Sequence, residues 1–281
     1  MSETGQQAAV ERLKTGVKGF DELIEGGIPR GFFISIVGEP GTGKTIFSIH
    51  FAWEGIKESD RVIYVTTEES KESIVQQASQ FGMNFRKGLN EKKMIIIDAL
   101  MKSKEEEWTL NDLNIEELVS KVIEAKKALG YGRTRLVIDS MSAFWIDKPA
   151  MARKMSYYIK RVLYKWDVTA YLISQYAVTT DLAYGFGLEH IADGIIRFKK
   201  ILSRGVLKRY VLVEKMRQTN HDLTSHEVYI KPGIGMEIGP GTEKKREDFR
   251  INPEVAKKMV DAKNKGIREF LGEEESEWPE K

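Results

Sequence analysis

The chain contains no cysteine, which excludes disulfides and thiolate-held metal sites. Histidine is scarce: only 4 occur in 281 residues, at His50, His190, His221 and His226, a poor supply for a zinc centre. No run of about 18 apolar residues is present, so no segment has the character of a transmembrane helix. The first residues, from Met1 to Lys14, lack the apolar centre of a signal peptide. A soluble cytoplasmic protein without membrane association is the expectation. Excess charge of one sign is lacking too. The 44 Lys and Arg against 42 Asp and Glu leave a net charge of +2, which gives no support to wholesale attraction by nucleic acid or membranes.

What remains is an ordinary globular composition, 41% hydrophobic and 31% charged, long enough for a sizeable core. Short apolar runs alternate with helical patterns. Strands are expected at 32–37, 61–66, 94–98, 135–139 and 168–173. Helices are expected from Lys44 to Ile56, Ser70 to Phe81, Ile115 to Leu129 and Met151 to Trp166. This alternation predicts an α/β fold with a mostly parallel sheet between helical layers. After Gly194 the texture changes to β-runs without helices (195–201, 206–214 and 227–231), read as hairpins that extend the sheet. Beyond Gly241 the chain is a charged extension. Asn252, Pro253 and Glu254 make a good helix start there.

Gly38-Glu39-Pro40-Gly41-Thr42-Gly43-Lys44-Thr45 fits the phosphate-loop pattern, lies between a strand and a helix, and runs on into Ile46. Its glycines let backbone N–H groups turn inward around a β-phosphate at the positive end of the helix. Lys44 would reach the β- and γ-phosphates, and Thr45 would offer its hydroxyl to Mg²⁺. The bland alternative is a plain glycine-rich turn, which the eight matched positions argue against.

Asp139 closes an apolar strand where a parallel sheet presents its ligands, and would hold Mg²⁺ directly or through water. Its alternative is a cap for the next helix. Glu68 and Glu69 close the strand at 61–66. One of them would polarise the attacking water and the other would favour a helix start, with Glu68 preferred as the base. Gln175 follows a strand and would sense the γ-phosphate, or is simply a polar strand end. Lys215 and Arg217 stand two apart after the β-run at 206–214. Alone they are as good a solvated edge as a phosphate clamp.

Four separated motifs, taken in order, resemble the KaiC-like branch of the RecA ATPase superfamily. The first runs from Thr15 to Leu23 and continues as Gly26-Gly27-Ile28-Pro29-Arg30-Gly31. The others are Val65 to Ser70, Val137 to Ser142, and Lys215-Met216-Arg217 with Thr219 and His221. The resemblance spans residues 12–240. It implies one RecA-like P-loop NTPase domain with a three-layer αβα core, leaving 1–11 as a flexible lead-in and 241–281 as a charged extension. It implies ATP and Mg²⁺ as ligands and a homo-oligomer, a hexameric ring being favoured. In such a ring Lys215 and Arg217 would reach the neighbour's γ-phosphate.

This sequence also departs from the clock proteins of that family. Those carry two fused domains, whereas one is present here. Where they autophosphorylate a Ser-Thr pair, this chain has Glu189 and His190, so timekeeping is not supported. A signalling or regulatory ATPase with an unidentified protein partner is the preferred reading. The polar insertion from Lys102 to Trp108 and the C-terminal extension are its candidate docking segments. The alternative is a recombination or repair ATPase of the RadA or RecA-paralogue type. Against DNA, residues 176–196 contain no Lys or Arg; for it, Tyr176, Tyr184 and Phe186 would stack bases, and Lys148, Arg153 and Lys154 add charge.

Overall fold

In the computed structural model, residues 10–101, 107–144, 152–175 and 188–242 are described. The chain opens with a short ribbon, β1 (Arg12–Leu13) paired to β2 (Ile28–Pro29). An alternating run follows: β3 (Phe33–Gly38), α1 (Lys44–Lys57), β4 (Arg61–Thr66), α2 (Lys71–Gln80), α3 (Phe85–Asn90) and β5 (Met94–Asp98). It continues with α4 (Ile115–Leu129), β6 (Thr134–Asp139), α5 (Ala152–Leu163), β7 (Val168–Gln175) and α6 (Leu188–Ile191). Four strands close it: β8 (Gly194–Ser203), β9 (Val206–Met216), β10 (His226–Lys231) and β11 (Gly235–Gly241).

Nine strands form one sheet in the order β11-β10-β9-β8-β3-β7-β6-β4-β5. From β8 through β3 to β5 the pairing is parallel. From β8 outward to β11 it is antiparallel. Central strands are apolar on both faces because helices cover both. Val62 and Tyr64 join the cluster under α1, α2 and α3, whereas Ile63 and Val65 join the one under α4 and α5. Among the described residues no helix is long and apolar enough to cross a membrane.

Aromatic packing fixes α1 to the sheet. Tyr171 on β7 stacks on Phe51 and Phe47 with ring centroids 3.9 and 5.4 Å apart. Each such contact is worth about 0.5–1.5 kcal/mol beyond area burial. Helix starts are satisfied locally: Ser70 caps α2 by accepting the Ser73 N–H, and Asn114 caps α4 by accepting that of Glu117.

Several boundaries differ from the sequence expectation. Helix α5 ends at Leu163, and Tyr164–Trp166 continue as a 3-10 turn that closes with Asp167 in the left-handed region. Strands β7 and β9 run two residues further than expected, because lateral pairing extends them. Strand β11 was not foreseen from its glycine-rich sequence; it forms through its register with β10 and the burial of Met236. Glu11, counted in the lead-in, is paired with Arg30 and Arg133. The expected helix after Asn252 and most of the polar insertion lie outside the described residues.

Arg135 is fully buried at the base of the sheet. Its Nε donates to Asp60 and its guanidinium to Glu58, each at 2.7 Å, and it lies over the Phe51 ring. Gly55 makes the room, since a Cβ there would stand 2.6 Å from Arg135 Cδ. Removing one partner of a buried ion pair costs about 3–5 kcal/mol because the other charge stays desolvated. Arg135→Ala should therefore show a loss of that size in denaturant unfolding. A loss below about 1 kcal/mol, the scale of an exposed pair, would mean that solvent reaches the freed carboxylates.

Candidate nucleotide site

The loop between β3 and α1 is shaped by glycines in the left-handed region, with φ of 77° at Gly41 and 100° at Gly43. Gly38 has a second reason: a Cβ there would lie 2.3 Å from the Phe198 carbonyl oxygen on β8. Helix α1 has no acidic residue in its first turn, so the positive end of its dipole is not offset from within.

Lys44 is buried, and its Nζ donates to the carbonyls of Gly38 and Glu39 at 2.9 and 2.8 Å. Burial pulls its pKa down to about 8, against the opposing pull of Asp139, Glu68 and Glu39. The ammonium is thus held over the loop by two backbone carbonyls, with three carboxylates in electrostatic range.

Asp139 ends β6 with its carboxylate buried. It accepts a hydrogen bond from the Thr45 side chain and another, at 3.3 Å, from the Tyr64 hydroxyl. Burial raises its pKa to about 6 and the nearby Glu68 adds to the rise, while Thr45, Lys44 and Tyr64 oppose it. Thr45 and Asp139 therefore meet at the ligand end of the sheet. The peptide bond from Asp139 to Ser140 is cis.

The two glutamates differ in their contacts. Ser140 Oγ donates to Glu68 Oε1 at 2.7 Å, so Glu68 stands next to Asp139. Glu69 turns into the start of α2, where its Oε2 accepts the Ser73 hydroxyl at 2.5 Å. Gln175 is the last residue of β7 and is in register with Gly38.

Lys215 and Arg217 are not brought to this site. Met216 pairs with Gly194, which pairs with Ile34 near the start of β3, whereas Gly38 pairs with Phe198. Four residues of strand separate the two levels, about 13 Å at 3.3 Å per residue. Lys215 lies within β9, and its Nζ donates to the Ala192 carbonyl. Arg217 follows the strand end and lines a cavity of about 620 Å³ with Arg30, Lys160, Lys165 and Asp193. The two cations are close enough that Arg217, after burial, helps to lower the Lys215 pKa.

Four groups at or near the site escaped the sequence reading. Ser140 lies inside the Val137 to Ser142 motif, where its residue type alone suggests no role. Tyr64 looked like one more apolar strand residue, and only its inward hydroxyl distinguishes it. Lys200 and Arg209 had no signal, because exposed cations on hairpins are ordinary.

Comparisons with known proteins agree with this geometry. The family model described as "ATPase: KaiC" matches residues 13–243. A UPF0273 family protein of Pyrococcus furiosus is 39% identical over 77% of this chain and 90% of its own length. One from Thermotoga maritima is 36% identical over 77% of this chain and 91% of its own. A crystal structure of a KaiC-like protein from the hyperthermophilic archaeon Pyrococcus horikoshii is 31% identical with a TM-score of 0.70, covering 83% of this chain and 100% of that one.

Proposed function

Because the chain belongs to the KaiC ATPase family, we propose that it binds and hydrolyses MgATP as a homo-oligomer with a regulatory or signalling role. The observation that carries this reading is the convergence of Lys44, Thr45, Asp139 and Glu68 at the ends of β3, β4 and β6. The donor set suits a hard cation: one hydroxyl and one carboxylate, both oxygen ligands, beside a phosphate loop. Mg²⁺, when bound, supplies charge neutralisation on the β- and γ-phosphates.

The chain's own groups divide the remaining work. Lys44 exchanges its two carbonyl partners for phosphate oxygens. Thr45 and Asp139 hold the cation, and Tyr64 fixes the carboxylate. Glu68, oriented by Ser140, takes the proton from the attacking water. Gln175, at the level of Gly38, senses the γ-phosphate. Lys215 and Arg217 sit too far down the sheet for their own nucleotide, and that separation supports action on a neighbour's.

Glu68→Gln should retain nucleotide binding and lose about 10²–10⁴-fold in phosphate release, the range for a general base. Glu69→Gln should stay within a few-fold of the parent, since its carboxylate is engaged with Ser73. The reverse ranking in single-turnover assays would exchange their roles.

One observation favours the DNA-binding alternative. The outer face of α5 and the turn after it expose Arg153, Lys154, Tyr157, Arg161, Tyr164 and Lys165, and no acid occurs in 152–166. Cations interleaved with aromatic rings suit single strands. Phosphate release measured with and without single-stranded DNA separates the readings: indifference supports the regulatory one, and stimulation that falls with salt supports the other.

A further inference from the structure

The strand pair β8–β9 continues past the sheet level of Gly38, and there it meets the phosphate loop. Lys200 lies two residues beyond Phe198, and Arg209 two before Val211, the cross-strand pair packed in the core beneath α1. Both cations therefore share the α1 face. They stand directly opposite one another in the register. A directly opposed like-charge pair destabilises a ladder unless something nearby accepts both charges.

Two consecutive loop carbonyls do so. Lys200 Nζ donates to the Pro40 oxygen at 2.9 Å, and Arg209 Nε to the Gly41 oxygen at 3.0 Å. In a trans peptide the carbonyl and the N–H that follows point in opposite directions. Holding the Pro40 and Gly41 carbonyls outward therefore aims the Gly41 and Thr42 N–H groups inward, where a phosphate nest needs donors. The nearby Lys200 charge also contributes to the depressed Lys44 pKa, which places it within electrostatic range of the same site.

We propose that Lys200 and Arg209 are positioning residues that brace the phosphate loop of this chain, turning its backbone donors toward the phosphates of the nucleotide. The inference rests on the nucleotide reading above. It concerns the triphosphate and not the base, because both contacts are to loop backbone.

The test compares the parent chain with the pair Lys200→Met/Arg209→Met and with Lys200→Arg/Arg209→Lys. Both side chains are only partly buried, and methionine keeps an unbranched stem, so the change removes the charged donor without opening the core. Calorimetry would follow MgATP and inorganic tripolyphosphate. The methionine pair should bind both about 10-fold more weakly, as two modest hydrogen bonds allow. Without nucleotide, its Gly41 and Thr42 amides should exchange faster by NMR while its melting temperature holds. The conservative pair should bind like the parent.

Weakened ATP binding with unchanged tripolyphosphate binding would overturn the brace, since it would place the cations on base or ribose. Parent-like binding of both ligands by the methionine pair would overturn it as well. Failure of the parent itself to bind either ligand would instead refute the nucleotide reading and take the brace with it.

Discussion

Lys44→Ala is expected to abolish measurable ATP turnover, a loss of at least about 10²–10³-fold, comparable to removing a preorganised donor from a developing charge. Burial is the cause. Folding carries Lys44 into a site where its two neutral partners are carbonyls and its pKa falls to about 8. The lowered pKa means the charged form is disfavoured in the folded state. That cost is present below about pH 8 and disappears as pH rises toward the unfolded value of about 10.5. At pH 7 the variant should therefore melt no earlier than the parent without nucleotide. The parent alone should gain stability from added nucleotide, by mass action. Turnover near the parent level would refute the assignment of this loop. A variant that melts much earlier would show that Lys44 holds the loop together and is not chiefly a phosphate ligand.

The second large effect concerns Arg217. A cation supplied across an interface to the γ-phosphate contributes about 10³–10⁵ to turnover in phosphoryl transfer. Arg217→Ala should lose activity on that scale while binding nucleotide normally, because its own loop is four strand residues away. Mixing is the decisive measurement. An Arg217→Ala subunit keeps a sound loop, and a Lys44→Ala subunit keeps a sound arginine. Mixed assemblies should recover part of the activity, and specific activity should rise with protein concentration. No recovery, with mixed assemblies demonstrated by light scattering or native mass analysis, would leave Arg217 as part of the cavity beside Arg30 and Lys160 only.

Much of the candidate site is legible in the sequence. The phosphate loop was legible because its chemistry is local: glycine conformations, one lysine and one hydroxyl within eight positions of a single turn. Asp139 and Glu68 were legible as strand ends, since a parallel sheet gathers those ends on one edge. The contacts that distinguish Glu68 from Glu69 are not legible in the sequence. The two are adjacent in the chain, and the difference lies in Ser140 and Ser73, the first of which follows a strand end more than seventy residues away.

By itself, then, the sequence determined the alternation of strands and helices, the loop that would cradle phosphates, and the two oxygen-bearing residues, Thr45 and Asp139, proposed to hold the cation. Each depends on neighbours within a few residues, where periodicity and backbone preference act. Only the tertiary structure decided that Tyr64 supports Asp139, that Lys200 and Arg209 grip the loop, and that Lys215 and Arg217 face away from their own site. Those facts depend on register. In an antiparallel extension, a strand that begins beside the phosphate loop ends at the opposite edge of the sheet. No spacing along the chain encodes that reversal until β8 and β9 are paired.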